Sequence, residues 1–387
     1  VTVKLLALPT GTLTAKGVNG TTDVSSGSGS NPSIVVDYNN SATLFWNPSS
    51  DTTSCTASGG WSGVVYDINK PELSKQQTIS RLQKTANYIL TCTGPGGLVE
   101  KSVTVKVKPG ILSFTANHDK STYVADENKL NPCSSSDGDC FQIGLNGTPK
   151  IEWTVYNADS CTATGWNDNQ NITSFVVAGQ TLSPINMDTR YILKCTNTSV
   201  GNVGSVEKKI TVKIKDPTVT LSTDRATLPY EGSTTLRWSS TDASLCTATG
   251  SWAGSKALSG EQSTGPLTSN NTFTLKCTGG KDLYNRIKSA SATTAVKVKP
   301  KVWFRAVTSD VTRSSGDEDS YLNVSWESWN ATSCTASGGW SGAKLLKGSF
   351  SFNTSNKTSY PTFSLTLSCT GKGGTTQVTL VRSSTKY

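Results

Sequence analysis

A ten-residue sequence occurs twice in this chain, letter for letter. The sequence SCTASGGWSG fills positions 54–63 and again positions 333–342. Two looser copies lie between them, SCTATGW at 160–166 and LCTATGSWAG at 245–254. Self-similarity of this kind is the signature of a repeat architecture, because each copy marks one structural unit. The repeat predicts several similar modules. It favours a function in spanning a distance, in assembly or in adhesion over a catalytic function.

The similarity extends to both sides of the motif. A short apolar strand ending in tryptophan precedes each copy, and a strand of pattern aromatic-x-Leu-x-Cys follows roughly thirty residues later (the fourth copy has Leu365 instead of the aromatic residue). The first three copies close with a valine- or isoleucine-rich strand such as VTVKVK at 103–108, and the fourth closes with QVTLV at 377–381. Valine alternates with threonine and lysine in 103–108, which predicts a strand with one buried face.

Short strands at even spacing, bounded by Gly, Pro, Ser, Asn and Asp, predict two-sheet sandwiches without helices. Prolines at 109, 217 and 300 follow the closing strands and mark short linkers, which favour a stiff string of modules. The predicted modules are 1–108 with an extra N-terminal strand, 109–216 with an additional disulfide loop, 217–300 and 301–387.

The ten cysteines fall as one pair per module plus one extra pair. Within the modules the separations are 37, 34, 31 and 35 residues, and this near-constant spacing predicts disulfides and an exported, oxidising location. A zinc site needs close cysteine or histidine clusters, and the chain has a single histidine, so we expect no metal and no cofactor. The predicted pairs are Cys55 with Cys92, Cys161 with Cys195, Cys246 with Cys277, Cys334 with Cys369, and Cys133 with Cys140 in module 2.

The position of the first cysteine departs from antibody domains, where the bridge joins strands B and F and the core tryptophan follows on strand C. Here the strand-B tryptophan comes before the cysteine, at positions 46, 153, 238 and 326. The first cysteine therefore belongs to the start of strand C or the loop before it, and strand C neighbours strand F. We predict a bridge within one sheet, or from its edge, and not through the centre of the core.

The strand-B tryptophan, SCTASGGWSG, Y-x-L-x-C-T-G and VTVKVK together resemble the immunoglobulin-like repeats found in tandem in bacterial surface proteins and in some phage structural proteins. The resemblance covers nearly the whole chain except residues 1–35. It implies an all-β fold of four tandem immunoglobulin-like β-sandwich modules with one disulfide per module. It is a poor guide to function, because such modules host many functions.

The second tryptophan of each motif lies in a Gly- and Ser-rich turn, at Trp61, Trp166, Trp252 and Trp340. One hypothesis is an exposed platform on which the sugar rings of cell-surface glycans stack. The other is that the indole covers the disulfide and closes the end of the sandwich. Recurrence at a fixed distance from the cysteine favours the second hypothesis.

The first five residues, VTVKL, resemble the closing strand at 103–107, although no module precedes them in this sequence. Either they pair within module 1 as its first strand, or Val1, Val3 and Leu5 add to a sheet of the next subunit. Strand addition joins subunits through main-chain hydrogen bonds, and a head-to-tail contact that does not close generates a filament. Both hypotheses stay open here.

The net charge of +9 comes largely from lysines spread along outward strand faces, where they protect sheet edges against unwanted pairing. Without a compact basic patch or interleaved aromatic residues, nucleic acid is not an expected partner, whereas an anionic polysaccharide is an alternative one. The sequence has no apolar run of about 18 residues, so no membrane span is expected in this chain.

No catalytic triad, P-loop or dinucleotide motif occurs, and we expect no enzyme activity. The sequence predicts a secreted or cell-surface structural subunit of an extracellular filament or appendage, pilus- or fimbria-like, which assembles through strand or module-end contacts into a polymer. The alternative is a carbohydrate-binding adhesin or a phage tail-fibre stalk.

Overall fold

The computed structural model describes residues 6–17, 24–25, 32–118, 139–166, 171–172, 178–312, 318–353 and 363–382. In these ranges the chain consists of β-strands and connecting turns, and its helices are two short 3-10 segments, Thr198–Val203 and Gly250–Trp252. The strands form four pairs of sheets, and each pair uses strands from one of the four predicted modules. The module boundaries themselves stay predictions.

The described residues of module 1 form a four-stranded and a five-stranded sheet. Their strands are β1 (Gly11–Gly17), β2 (Val24–Ser25), β3 (Ser33–Val36), β4 (Ala42–Pro48), β5 (Ser54–Gly59), β6 (Gly63–Asp67), β7 (Gln76–Ile79), β8 (Ala86–Gly94) and β9 (Gly97–Val107). The strand order is β2-β1-β4-β7 in the first sheet and β3-β9-β8-β5-β6 in the second. Neighbouring strands are antiparallel except β3, which runs parallel to the closing strand β9.

Modules 2 and 3 repeat this plan. Module 2 contains β10 (Gly110–His118), β11 (Asp139–Ile143), β12 (Pro149–Tyr156), β13 (Ser160–Thr164), β14 (Asn171–Ile172), β15 (Ala178–Thr181), β16 (Thr189–Thr196) and β17 (Ser205–Ile214). Module 3 contains β18 (Thr218–Thr223), β19 (Thr227–Leu228), β20 (Thr235–Thr241), β21 (Ala243–Thr249), β22 (Gly254–Lys256), β23 (Ser259–Ser263), β24 (Asn271–Lys281) and β25 (Ile287–Val298). Their sheets are β10-β12-β15 with β11-β17-β16-β13-β14, and β18-β20-β23 with β19-β25-β24-β21-β22.

Module 4 differs in one strand. It contains β26 (Lys301–Thr312), β27 (Glu318–Trp329), β28 (Ser333–Gly338), β29 (Gly342–Lys344), β30 (Lys347–Asn353), β31 (Phe363–Gly371) and β32 (Gly374–Arg382), in the sheets β26-β27-β30 and β29-β28-β31-β32. In the other modules the chain leaves the first sheet and adds a short parallel strand beside the closing strand. In module 4, β26 instead pairs with β27 over its full 12 residues, and the described part of this module has no such parallel strand.

This topology is that of an immunoglobulin-like sandwich. In module 1 the first sheet holds strands A, B and E (β1, β4 and β7), and the second holds A′, G, F, C and C′ (β3, β9, β8, β5 and β6). The predicted all-β fold of four tandem immunoglobulin-like sandwiches is therefore confirmed.

One disulfide joins strands C and F in each module, as predicted. The bonded residues lie directly opposite each other in neighbouring strands of one sheet, with Cα–Cα distances of 4.0–4.1 Å. The cysteines are at most 2% exposed, so the sulfur atoms face the core although the bridge stays within the sheet. Cys140 is also disulfide-bonded, and Cys133 lies outside the described residues.

The alternating pattern of the closing strands accounts for the core. Val103, Val105 and Val107 are 0–1% exposed and pack among the other buried residues of module 1, while Thr104 and Lys106 point outward. Burial of each such side chain contributes about 1.5–3 kcal/mol. The same periodicity recurs at Ile210, Val212 and Ile214 of module 2.

The chain divides into two compact units, with the boundary between Ile214 and Lys215. The first unit holds modules 1 and 2, and the second holds modules 3 and 4 apart from residues 282–285. Each unit thus contains one junction between two successive modules.

Replacing Cys55 and Cys92 together by serine is expected to destabilise module 1 by about 4 kcal/mol, because the bridge closes a loop of 37 residues in the unfolded chain. Amide hydrogen exchange in β8 and β9, compared with β31 and β32 of the unaltered module 4, would measure this loss. Ser54→Ala is the control, because it removes only an exposed hydroxyl that pairs with Thr93. A loss below about 1 kcal/mol would contradict the assigned role of the bridge.

Candidate functional site

The repeated motif forms strand C, a tight turn and the start of strand C′. Gly59 turns the chain with a φ of +83°, and a Cβ atom there would lie 2.3 Å from the carbonyl oxygen of Asn87 on strand F. A Cβ at Gly60 would lie 2.7 Å from the ring of Tyr88. The same restriction recurs at Gly338, which has a φ of +86° and lies against the carbonyl of Ser364. The glycines are therefore required by the close approach of the turn to strand F.

The turn places the second tryptophan against the strand-B tryptophan. Trp61 meets Trp46 edge to face, with ring centroids 5.2 Å apart and an interplanar angle of 67°. This geometry is the favourable one for two aromatic rings. The equivalent pairs have centroid distances of 4.9, 5.5 and 5.2 Å: Trp153 with Trp166, Trp238 with Trp252, and Trp326 with Trp340. We call this pair, together with the C–F disulfide, the tryptophan clamp.

The tryptophan clamp also connects the two sheets by hydrogen bonds. The Nε1 atom of Trp46 donates to the carbonyl oxygen of Val65 in strand C′, at 3.2 Å. In modules 3 and 4 the acceptors are the carbonyls of Ala257 and Leu345, each immediately after strand C′. Because strand B belongs to the first sheet and strand C′ to the second, each bond fixes one sheet relative to the other.

The second tryptophans are not exposed platforms. Trp61, Trp166, Trp252 and Trp340 are only 4–7% exposed, which contradicts the hypothesis that sugar rings stack on them. Their partner indoles cover them, and in modules 3 and 4 a lysine ammonium lies 5.1 and 4.9 Å from the ring centroid, Lys256 over Trp252 and Lys344 over Trp340. The four indoles belong to the same buried clusters as the disulfide cysteines, which agrees with the second hypothesis as far as burial is concerned.

Strand F supplies the next layer of the core. Tyr88 lies edge to face with Trp61, with centroids 6.4 Å apart, and its ring is 1% exposed. Burial raises the pKa of Tyr88 above its ordinary value. Burial raises the pKa of Tyr191 as well, against a smaller opposing contribution from its hydrogen bond with Thr189. Both phenols are neutral members of the core.

The junction between modules 1 and 2 contains an aromatic stack and an asparagine contact. Tyr38 stacks on Tyr156 with centroids 5.6 Å apart and planes at 15°. Asn157, which has a φ of +55°, donates its side-chain amide to the carbonyl of Val107 at 2.7 Å and to that of Lys108 at 3.3 Å. Module 2 thus holds the end of the closing strand of module 1. Beside the stack lies a cleft of about 480 Å³, lined by residues of both modules.

The junction between modules 3 and 4 contains the same two contacts, an aromatic pair and an asparagine hydrogen bond. Tyr230 and Trp329 lie 6.5 Å apart, and the side-chain amide of Asn330 donates to the carbonyl of Val298 at the end of the closing strand. Lys301 adds charge to this contact: its ammonium lies 3.2 Å from Glu231 and 5.2 Å from the Tyr230 ring. Sequence reasoning missed both junctions, although an aromatic residue followed by asparagine stands at the same distance before cysteine in modules 2 and 4.

A third contact lies at the start of the described chain. A Cβ atom on Gly96, in the β8–β9 turn, would lie 2.1 Å from the carbonyl oxygen of Ala7. A Cβ on Gly373, in the β31–β32 turn, would lie 2.1 Å from the carbonyl oxygen of Val298. Residues 6–9 therefore cross module 1 as the linker from module 3 crosses module 4.

Val1, Val3 and Leu5, the predicted assembly strand, lie outside the described residues, so both hypotheses for this strand stay open. Where the structure describes the chain, it contains no helix long and apolar enough to cross a membrane. In the same ranges no group of three or more His, Cys, Asp or Glu residues is arranged to hold a metal ion.

Comparison with known proteins finds similar solved structures but no family. No family model matches the chain, and no curated protein matches it. Among solved structures, an eight-domain N-terminal fragment of Down Syndrome Cell Adhesion Molecule aligns with 96% of this chain at 10% identity and a TM-score of 0.26. The chain spans about half, 55%, of that fragment.

Two further structures give the same result. Immunoglobulin domains 1–5 of sidekick-1 align with 95% of the chain and 98% of their own length, at 9% identity and a TM-score of 0.26. The D1–D4 ectodomain fragment of ICAM-5 aligns with 96% and 98%, at 9% identity and a TM-score of 0.28. At these identities and TM-scores the similarity carries no argument.

Gly59→Ala and Gly63→Ala form a matched pair that tests the motif turn. Both glycines have positive φ, and a Cβ at Gly63 would meet no atom within 4 Å, so we expect Gly63→Ala to cost about 1–2 kcal/mol from backbone strain alone. Gly59→Ala adds a collision with a strand-F carbonyl and should cost at least about 2 kcal/mol more. Amide exchange in module 1 measures both values. Equal costs would contradict the requirement for close approach.

The Tyr38–Tyr156 stack predicts a pH dependence. Burial, and secondarily the neighbouring Tyr156, raise the pKa of Tyr38 above its ordinary value. The folded state therefore holds the phenol proton more tightly than the unfolded state. The resulting stabilisation is complete below about pH 10 and is lost as the pH rises through the raised pKa.

We expect Tyr156→Ala to return the pKa of Tyr38 toward its ordinary value, because the substitution removes the neighbouring phenol and the burial that its stacked ring provides. Tyr156→Phe should keep most of the shift, since burial is the larger cause and the ring remains. Titration of ring-labelled tyrosine by NMR measures the pKa directly. If both variants lowered the pKa equally, the stack would not be the source of the shift.

Proposed function

We propose that this chain is a structural subunit of an extracellular filament or cell-surface appendage, pilus- or fimbria-like, and has no enzyme activity. The observation that supports this function most directly is the contact at the start of the chain. Residues 6–9 cross the β8–β9 turn as the internal linker crosses the β31–β32 turn. Module 1 thus receives residues 6–9 at the same turn at which module 4 receives the linker from module 3.

The internal junctions show what such end-to-end contacts consist of. In both units the downstream module contributes an aromatic ring and an asparagine, and the upstream module contributes a tyrosine and the carbonyl at the end of its closing strand. Within each unit, successive modules are therefore joined by contacts between their ends. Repetition of such a contact between copies gives a head-to-tail polymer, because the contact does not close on itself.

An extracellular location fits the chemistry of the cysteines. Each module holds its own disulfide, and disulfides persist in oxidising compartments. The alternative of a carbohydrate-binding adhesin loses its main support, because the four motif tryptophans are buried. The alternative of a phage tail-fibre stalk makes the same use of joined modules but requires no polymer of this chain.

Sedimentation velocity and negative-stain microscopy of the full chain over a range of concentrations test the proposal. We expect head-to-tail oligomers or filaments, and we expect deletion of residues 1–8 to leave monomers. Ile287→Ser is the control, because it removes an exposed apolar side chain of similar size from module 3. This variant should still assemble. A full chain that stays monomeric at every concentration would overturn the proposal.

A further inference from the structure

The first sheet of module 4 differs from its counterparts at two positions on strand A. In modules 1–3 both positions carry a small hydroxyl residue. At the first position, opposite the residue that follows the strand-B tryptophan, these are Thr12, Ser113 and Thr220. At the second, two residues further along the strand, these are Thr14, Thr115 and Ser222. Module 4 carries Trp303 and Arg305 instead.

Trp303 and Arg305 both lie on the outward face of the sheet. Side chains alternate along a strand, so the two share the face of β26 opposite to Phe304, which packs in the core. Trp303 is 46% exposed, in contrast to the buried tryptophans of the repeated motif. In the described part of the chain its indole makes no hydrogen bond and no ring contact. An indole of this kind is available to a ligand.

Arg305 is an uncompensated charge on this face. The other described charged side chains of the face are paired, Glu327 with Lys347 and Lys301 with Glu231. Arg305 is exposed and has no ion-pair or hydrogen-bond partner among the described residues. In module 3, by contrast, Arg237 on the equivalent sheet face binds two carboxylates. The face of module 4 therefore presents a guanidinium that has no anion.

Hydroxyl groups lie beside Arg305 across the sheet. Ser325 of β27 is directly opposite Arg305, and Ser349 of β30 is directly opposite Ser325. Opposed residues in neighbouring strands are about 5 Å apart, and residues two apart along a strand are about 7 Å apart. The indole, the guanidinium and the two hydroxyls are therefore within reach of a saccharide of one or two rings.

A pyranose that carries a carboxylate matches this combination of groups. The C–H face of a sugar ring is apolar and packs on a flat aromatic ring, while a guanidinium binds a carboxylate through two parallel N–H···O bonds. Serine hydroxyls donate to and accept from the hydroxyls of the sugar. A protein partner suits the face less well, because the centres of protein interfaces are poor in serine.

We propose that the outward face of the β26-β27-β30 sheet binds an acidic saccharide, a pyranose with a carboxylate such as a uronic or sialic acid. Trp303 stacks on the sugar ring, Arg305 binds the carboxylate, and Ser325 and Ser349 bind hydroxyl groups. The site goes beyond the proposed function, because it operates whether or not the chain assembles. It uses none of the four motif tryptophans.

Calorimetric titration of the full chain with two acidic saccharides tests the proposal. Sialyllactose is compared with lactose, and trigalacturonic acid with its methyl ester, so each pair differs in the carboxylate-bearing part. We expect at least one acid to bind at least about tenfold more tightly than its neutral counterpart, and the pair that shows this identifies the kind of acid. If neither acid binds more tightly than its counterpart, the proposal is wrong.

Single variants test the position of the site. Trp303→Thr and Arg305→Ser give module 4 the residues of module 3, Thr220 and Ser222, so the fold is expected to persist. We expect Trp303→Thr to raise the Kd of the acidic saccharide at least about tenfold, and Arg305→Ser to raise it to the Kd of the neutral counterpart. Amide exchange in β27 and β31 checks that module 4 stays folded in both variants.

Leu345→Thr is the matched control. Leu345 is 79% exposed and belongs to the same module, but it lies between β29 and β30 and not on the proposed face. This variant should keep the Kd of the unaltered chain within about twofold. Binding of the acidic saccharide that survives both Trp303→Thr and Arg305→Ser would overturn the assignment to this face.

Discussion

The contact between two tryptophans from opposite sheets is the interaction on which each module depends. A sandwich of this size has a modest core, so the relative position of its two sheets must be fixed by few contacts. The strand-B indole donates to strand C′, and its ring covers the second indole, which lies in the same buried core as the C–F disulfide. The turn glycines follow from this contact, because only a chain without Cβ atoms passes close enough to strand F.

The fold could be predicted from the sequence because its signals are local. The alternation in 103–108 and the order of tryptophan and cysteine depend on neighbours along one strand, and they predicted the buried face and the in-sheet bridge. The burial of Trp61 could not be predicted in this way, because a tryptophan in a Gly-rich turn can either be exposed to solvent or be packed into the core. Its burial depends on Trp46, which reaches it from the other sheet.

The junctions were missed for a related reason. Tyr38 and Tyr156 are separated by more than a hundred residues, and neither belongs to a motif that repeats in all four modules. Asn157 and Asn330 adopt positive φ, which asparagine tolerates better than most residues, and this places the amide under the preceding strand end. A comparison of modules in pairs, rather than all four together, would have revealed the shared aromatic–asparagine pattern.

The placement of the disulfide between strands C and F has a mechanical consequence. Tension along a tandem chain enters each module at strand A and leaves at strand G. In module 1, the Cys55–Cys92 disulfide keeps the loop between the two cysteines closed. When the module unfolds under tension, only the residues outside that loop can therefore be extended. The load passes across the bridge at directly opposed positions of one sheet. Each module therefore has a maximum unfolded length that its disulfide limits. The longest extension of the chain is set by these covalent bonds and not by the strength of its hydrogen bonds.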